Sequence, residues 1–361
     1  MTAAPLGAPE RIREPAGSLG AALAGRDNAL NFVRLVLASL VIWSHAWPLG
    51  EFGGDPYFGG NSLGGWAVSG FFAISGYLIA GSRSRLRLAP FLWRRALRIF
   101  PAFWVALGAV AFVAAPLGSV MEGSRWQLDG AVSYVVRNWF LKMEQWDVPA
   151  TLVSAGSQSW NGSLWTLVFE FACYCAMALL FTLRPVRRFP LPALALLWLI
   201  ASVMTWAPAR AISVATSLRV GFLVEPFAHA FWLMAFFLAG ALVWSIRGGV
   251  RLGPWWPLGA AVLLLACIVT ETGPTLGSLP TTILVLWAGT APVRIGSVND
   301  ISYGVYIYAF PIQQLLFLSG IAQQVGPWAA GLIAWVLVLP VATLSWHLIE
   351  KPALAFKNLV R

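Results

Sequence analysis

Charge is scarce in this chain: only 11% of its 361 residues are Asp, Glu, Lys or Arg, where a soluble domain carries about a quarter. Carboxylates are scarcer still, with 14 Asp and Glu against 24 Lys and Arg. The three cysteines, Cys173, Cys175 and Cys267, all fall inside apolar runs, which argues against a disulfide or metal framework. With three histidines, His45, His229 and His347, spread over the whole length, no metal-ligand spacing is present. Residues 1–26 contain Pro, Gly and Ala but no apolar core of a signal peptide, and are expected to form a disordered cytoplasmic tail. Neither an internal repeat nor paired Gly/Pro-broken half-helices are evident, which disfavours a transporter architecture.

What the chain does contain is hydrophobic length. Apolar residues make up 59% of it and mean hydropathy is +0.74. About 20 apolar residues cross a bilayer as a helix. On that scale we expect an all-α, polytopic membrane bundle of ten spans, at about 30–49, 65–81, 100–117, 162–183, 190–207, 227–246, 255–271, 276–291, 301–320 and 328–349. If the N-terminus is cytoplasmic, Arg125, Arg137, Lys142, Arg210 and Arg219 lie outside, leaving 19 of the 24 cations inside. Cytoplasmic enrichment of Lys and Arg sets orientation, so both termini are expected inside. That distribution also explains the net charge of +10 without nucleic acid. The outer loops are then 118–161 and 208–226. Residues 131–141 form an apolar stretch too short to span, suited to an interfacial helix. Trp139, Trp146 and Trp160 suit the membrane–water boundary, although aromatics also stack on sugar rings.

Ionisable residues inside spans are costly and point to function. In "NFVRLVLASLVIWSHAWPLG" (31–50), Arg34 and His45 are eleven residues apart, about 20° beyond three turns, and so share one face about 16 Å apart along the axis. Ala38 and Val41 on that stripe are small enough to leave room for an elongated group. A snorkelling cation and a capped polar residue are the plainer readings of Arg34 and His45. The segment 82–99, expected as a cytoplasmic loop, holds Arg83, Arg85, Arg87, Arg94, Arg95 and Arg98. The three-residue spacing of Arg95 and Arg98 puts two guanidiniums on one helical face, where they can grip a phosphate. Positive-inside anchoring accounts for some of these arginines, but a polyanionic ligand needs the pairing. Glu170 lies nine residues past Asn161, about 13 Å deep at helical rise, and is either a functional carboxylate or one paired with a cation or tyrosine. Asn161 is expected to cap its helix, His229 to be structural, and His347 to pair with Glu350.

In order along residues 27–355, Arg34 and His45 with ten residues between them, "FFAISGYLI" (71–79), "RRALRIFP" (94–101), "SLWTLVFEF" (163–171), "ISYGVYIYAFPI" (301–312) and "IEKPA" (349–353) resemble the membrane acyltransferase-3 family, multispanning O-acyltransferases of bacterial glycans. Many members carry a histidine where this chain has Ala309. The resemblance implies one domain over 27–361 in minimal form, in the bacterial inner membrane. It implies transfer of an acyl group, most often acetyl, from cytoplasmic acyl-CoA to a hydroxyl of an extracytoplasmic or lipid-linked glycan, with no metal. Carried over, Arg34, Arg95 and Arg98 would hold the donor, whose arm would run past Ala38 and Val41 to His45. His45 would act as general base or as an acylated intermediate, with Glu170 orienting it or meeting the acceptor. Ser75, Trp165, Ser302, Tyr303 and Tyr306 would line the pocket. The alternative from another class is a carrier or flippase of lipid-linked glycan that performs no chemistry.

Overall fold

The computed structural model describes residues 14–25, 27–207, 213 and 230–360. Arg210, Arg219, His229 and the first thirteen residues, on which expectations above rest, lie outside the described residues. The described chain is almost wholly helical: α1 (Leu19–Ala22), α2 (Leu30–Leu49), α3 (Leu63–Arg83), α4 (Leu88–Ala109), α5 (Ala115–Glu122), α6 (Leu128–Arg137), α7 (Trp165–Leu180), α8 (Arg184–Arg188), α9 (Pro190–Trp206), α10 (Phe231–Ile246), α11 (Trp255–Val269), α12 (Gly273–Leu276), α13 (Ser278–Ala288), α14 (Ser302–Leu318), α15 (Ile321–Ser345) and α16 (Lys351–Ala355). One two-residue hairpin, β1 (Tyr57–Phe58) with β2 (Asn61–Ser62), turns on Gly59 and Gly60. Both have positive φ, the backbone a tight type I′ connection requires.

Among the described residues, four helical stretches are long and apolar enough to cross a membrane: Leu30–Leu49, Leu63–Arg83, Leu88–Glu122 and Ile321–Asn358. α7, α9, α10, α11 and α13 are shorter apolar helices. The third stretch corrects the expected 82–99 loop. Only residues 84–87 connect α3 to α4, and Arg94, Arg95 and Arg98 are helical. Pro90 is tolerated there because it falls in the first turn, where no intrahelical N–H bond is lost. Within the expected tail, residues 14–25 are ordered. Glu14 pairs with Arg247 at 2.7 Å, the Leu19 amide donates to the Val250 carbonyl at 2.8 Å, and Leu19 and Leu23 are buried.

Small residues set the closest packing. Gly76 on α3 lies against the Phe237 carbonyl, and Gly240 on α10 against the Ala73 carbonyl. A Cβ at either would clash with backbone, so these two glycines let α3 and α10 approach as small residues do between membrane helices. α2 packs on both α3 and α14, and α14 on α15. Two wide π-turns interrupt long helices, at Val110–Ala114 and Trp346–Glu350. Each precedes a proline, Pro116 or Pro352, whose ring would collide with the carbonyl four residues back. A widened turn relieves that collision, and such turns gather at functional sites. α15 contains a kink at Gly326 (φ 79°), so its regular part starts at Pro327, close to the expected span start of 328.

Candidate active site

The arginines predicted to bind one ligand divide into two electrostatic states. Arg34 Nη1 lies 2.7 Å and Arg98 Nη2 2.5 Å from the same Asp300 oxygen, Oδ2. Asp300 Oδ1 accepts from the Ser302 hydroxyl at 2.5 Å and from the Ser302 amide at 3.3 Å. Burial opposes ionisation of Asp300, but Arg34, Arg98 and the Ser302 hydrogen bonds outweigh it and hold the carboxyl below the usual range. On its other side Arg98 Nη1 reaches Glu350 Oε2 at 3.4 Å, and the Ser345 hydroxyl donates to Glu350 Oε1 at 3.2 Å. The Arg98 guanidinium also lies over the rings of Tyr303 and Trp346, at 5.9 and 5.6 Å. Ser302 and Tyr303, expected as pocket lining, thus belong to this network, and Tyr303 donates to the Ile99 carbonyl at 2.9 Å.

Glu350 was expected to pair with His347. Instead the π-turn over 346–350 breaks the three-residue phase, turning Glu350 inward. His347 is exposed, its Nδ1 2.9 Å from the Thr343 carbonyl.

Arg95, one turn from Arg98, has no carboxylate partner among the described residues. It sits over Phe91 at 5.7 Å, its buried Nε without a hydrogen bond, within electrostatic range of Glu170, Tyr174, Arg34 and Arg98. Arg83, Arg85, Arg87, Arg94 and Arg187 likewise form no ion pair among the described residues, and they line two adjoining clefts of about 490 and 340 Å³. Arg94 donates to Asn358 Oδ1 at 3.1 Å, and Arg83 is spent on the Ala178 and Leu86 carbonyls. Unneutralised guanidiniums gathered this way have the chemistry to hold an anion.

Glu170 Oε1 accepts from Ser75 Oγ at 2.9 Å and from the Tyr174 hydroxyl. With Arg34, Phe71, Thr166, Tyr303 and Tyr306 it lines a small cavity of about 30 Å³. The structure therefore brings Arg34, Glu170, Tyr303 and Tyr306 to one cavity. Ser75 reaches it through Glu170, while Trp165 packs instead on Phe169 at 5.7 Å. Tyr306 makes hydrogen bonds with the Ser163 carbonyl at 2.8 Å and Thr166 Oγ1 at 2.7 Å.

His45 stands apart. Its ring meets Phe310 edge-on at 5.0 Å and makes no hydrogen bond among the described residues, so Glu170 does not orient it. Phe310 is four residues past Tyr306, one turn along α14, which separates His45 from the Glu170 cavity by about 6 Å of rise. The stripe between Arg34 and His45 is filled rather than open. Ala38 and Val41 are 0% and 3% exposed, because α3 and α14 pack onto that face of α2. Asn161 is no helix cap: α7 starts at Trp165, and Asn161 Nδ2 donates to the Ile307 carbonyl at 2.8 Å. Gly162 abuts Phe310 so closely that a Cβ would not fit, so the 144–162 loop is laid directly over the His45 neighbourhood.

Sequence reasoning missed Asp300 and the pairing of Glu350, although two arginines in apolar helices signal that counter-ions must exist. It also missed Gln313, fully buried, whose Nε2 donates to the Ile42 carbonyl at 2.8 Å and whose Oε1 has no partner. A cavity of about 730 Å³ between α7, α9 and α10 is apolar; among the described residues that line it, Thr182 and the Cys173 thiol are the hydrogen-bonding side chains, and none is an acid or base suited to the reaction. Among the described residues no group of three or more His, Cys, Asp or Glu could hold a metal ion.

Residues 27–347 match the acyltransferase-3 family, described as an acyltransferase domain. An O-acetyl transferase of Shigella phage Sf6 is 30% identical over 346 residues, covering 90% of this chain and 96% of that protein. Nodulation protein 10 of Rhizobium leguminosarum bv. viciae is 27% identical over 363 residues, covering 92% and 95%. No solved structure matches the chain. A family of enzymes that spans nearly the whole chain sets the carrier reading aside. With its long apolar helices, its arginine-rich helix start and its solitary histidine, this chain belongs to the acyltransferase-3 family and is a membrane acyltransferase.

Proposed function

We propose that the protein transfers an acetyl group from acetyl-CoA, taken from the cytoplasm, to a hydroxyl of an extracytoplasmic or lipid-linked glycan. The observation that carries this reading is the pair of clefts at the start of α4 whose arginines form no ion pair among the described residues, with the unpaired Arg95 on the same helix facing Glu170 and Tyr174, while His45 lies toward the other end of α2 with both ring nitrogens unengaged by the described residues. Coenzyme A is a polyanion on a long arm; Arg85, Arg87 and Arg94 suit its phosphates, and Arg95 meets the donor on the Glu170 side of the same helix. Arg34 and Arg98, neutralised by Asp300 and Glu350, support the site rather than grip the donor directly. The name of the phage relative, O-acetyl transferase, favours acetyl as the group moved.

His45 is the general base. It takes the proton from the sugar hydroxyl as that oxygen attacks the thioester carbonyl carbon. The C–S bond then breaks, and the proton passes to the coenzyme A thiolate. An acyl-histidine route would place the acetyl group on the ring first. Glu170 holds Ser75 and Tyr174 beside Arg34, and Tyr303 and Tyr306 border the path. Because the face from Arg34 to His45 is closed, the donor arm opens it on binding, starting from the Glu170 cavity. We place ten crossings over 27–361 and both termini in the cytoplasm of a bacterial inner membrane. The clustering of Arg94, Arg98, Arg247, Arg251 and Arg294 with Glu14, Asp27 and Asp300 at one end supports that sidedness.

Purified protein given labelled acetyl-CoA and cell-surface glycan should move label into the glycan. Retention of label in acetyl-CoA with an intact, folded protein would contradict the reading.

A further inference from the structure

We propose that a cleft between α6 and the 144–158 loop is a binding subsite for neutral pyranose residues of the acceptor. This rests on the reading of a glycan acceptor. The cleft encloses about 610 Å³ and presents Arg137, Glu144, Gln145, Trp146, Asp147 and Gln158. That volume falls in the roughly 300–1,000 Å³ range of ligand sites.

The side chains are of two kinds. Trp146 is 39% exposed, and its indole N–H has no acceptor among the described residues. An indole face covers the C–H side of a pyranose, while its N–H meets a hydroxyl. The Arg137 guanidinium and the Asp147 carboxylate also lack partners among the described residues. Planar groups of this kind bind two neighbouring hydroxyls at once, one as donor and one as acceptor. One guanidinium and two carboxylates lining the cleft leave no net positive charge for a phosphate or an acidic lipid. The composition therefore selects hydroxyls over anions.

The frame beneath these groups is rigid. Asn138, fully buried, donates from Nδ2 to the Gln145 carbonyl at 2.7 Å, and its Oδ1 accepts from the Glu144 and Gln145 amides at 2.9 and 3.1 Å. Gln145 is fixed by Ser133 at 2.8 Å and by the Asp147 carbonyl at 2.9 Å. The Trp160 amide donates to the Trp146 carbonyl at 2.9 Å. Leu141, Ala150 and Leu152, flanking the cleft, all hold positive φ, a conformation that costs energy and persists where the surroundings impose it. A preformed site loses less entropy on binding.

The location fits an acceptor. α6 runs alongside the long helical stretch, from Ala111, whose carbonyl accepts from Trp126, to Trp104, which stacks on Trp139. These contacts are ten to seventeen residues, about 15–25 Å, along the helix from Arg94, so the cleft lies away from the arginine clefts. The same loop continues to Ser157 and Ser159, whose carbonyls accept from Gln314 Nε2 at 3.2 and 2.6 Å, and to Gly162 against Phe310, which touches His45. A saccharide chain held in the cleft is thereby kept on the His45 side.

The test uses full-length protein in nanodiscs. The probe is the oligosaccharide fraction released from surface polysaccharide of a strain lacking this gene. Saturation-transfer NMR and label transfer from acetyl-CoA are read in parallel, with thermal unfolding as the folding control. Trp146→Ala and Asp147→Asn should each weaken saccharide binding and raise the acceptor KM at least tenfold, with kcat and acetyl-CoA affinity unchanged. Trp146→Phe should stay within threefold. An acceptor KM unchanged in folded Trp146→Ala and Asp147→Asn, or wild-type protein that binds no saccharide, would overturn the subsite. Label transfer with a wild-type acceptor KM in those variants removes the subsite and leaves the transferase reading standing. Saccharide binding lost in the variants, with no label transfer by wild type, keeps the subsite and removes the transferase reading.

Discussion

Arg98 and Arg95 are the same residue type one helical turn apart, yet one is held by two carboxylates and the other by none among the described residues. The contrast extends to their surroundings. Around Arg98, chain segments distant in sequence (Arg34, Asp300, Ser302, Ser345 and Glu350) close into a hydrogen-bonded ionic network. On another side of the same helix start, Arg94, with Arg85 and Arg87 of the preceding connection, adds unneutralised charge and opens onto clefts. A buried arginine with its carboxylate is a structural tie between helices. An arginine left without one is free to meet an anion from outside the chain, which is the role proposed for Arg95.

The sharpest way to break that comparison is to remove Asp300. Asp300→Ala leaves Arg34 and Arg98 facing each other without their shared counter-ion, and should cost about 3–5 kcal/mol of stability. Unfolding in detergent or nanodiscs reads this directly, and a loss below about 1 kcal/mol would mean that the network is not a structural tie. Arg95→Ala should do the opposite. Its stability loss should stay well below that of Asp300→Ala, under about 1.5 kcal/mol, since no ion pair is broken. Acetyl-CoA binding should weaken by about tenfold or more, the worth of a charge-assisted hydrogen bond. Lysine should rescue only in part, since it loses the planar fork. The defect should shrink for a donor analogue lacking the 3′-phosphate, as titration calorimetry would show.

Smaller effects sharpen the picture. Tyr174→Phe removes one of the two donors to Glu170 and should cost about 1 kcal/mol, measured by the same unfolding assay. Asp300 predicts a pH signature with a definite sign. Its folded carboxyl titrates below the ordinary value of about 3.9, so its stabilisation is fully present above that pH and disappears as pH falls through the folded pKa. Wild type should therefore be more stable than Asp300→Asn throughout pH 5 to 8, and the two should converge only below about pH 4. Convergence near neutrality would show that Asp300 is not held ionised by Arg34 and Arg98.

Local features of the fold were legible, and long-range ones were not. Apolar runs located the helices within a few residues, because period and length suffice for that. Where α4 begins was misjudged: arginines and Pro90 read as loop, although a first-turn proline and charged residues at a helix start are compatible with helix. The shared face of Arg34 and His45 follows from helix geometry alone, but what covers that face depends on α3 and α14 and is invisible in α2's own sequence. Asp300 is separated from Arg34 by 266 residues and from Arg98 by 202, so no spacing rule reaches it. The local pairing of His347 with Glu350 failed because a π-turn shifts the phase that the rule assumes. Glu170 with Tyr174, at spacing four, was within reach as a carboxylate–tyrosine pair.

The most direct test of the division between a donor grip and a reacting histidine is the initial rate of label transfer from acetyl-CoA, followed against donor concentration in purified Arg95→Ala and His45→Ala proteins. Arg95→Ala should raise the donor KM about tenfold or more with kcat recovered at saturation. His45→Ala should lower kcat by about 10²–10⁴-fold, the usual loss of a general base, with acetyl-CoA binding intact. More than a few per cent of wild-type transfer in His45→Ala, or a fall in kcat without a change in donor KM in Arg95→Ala, would contradict the account.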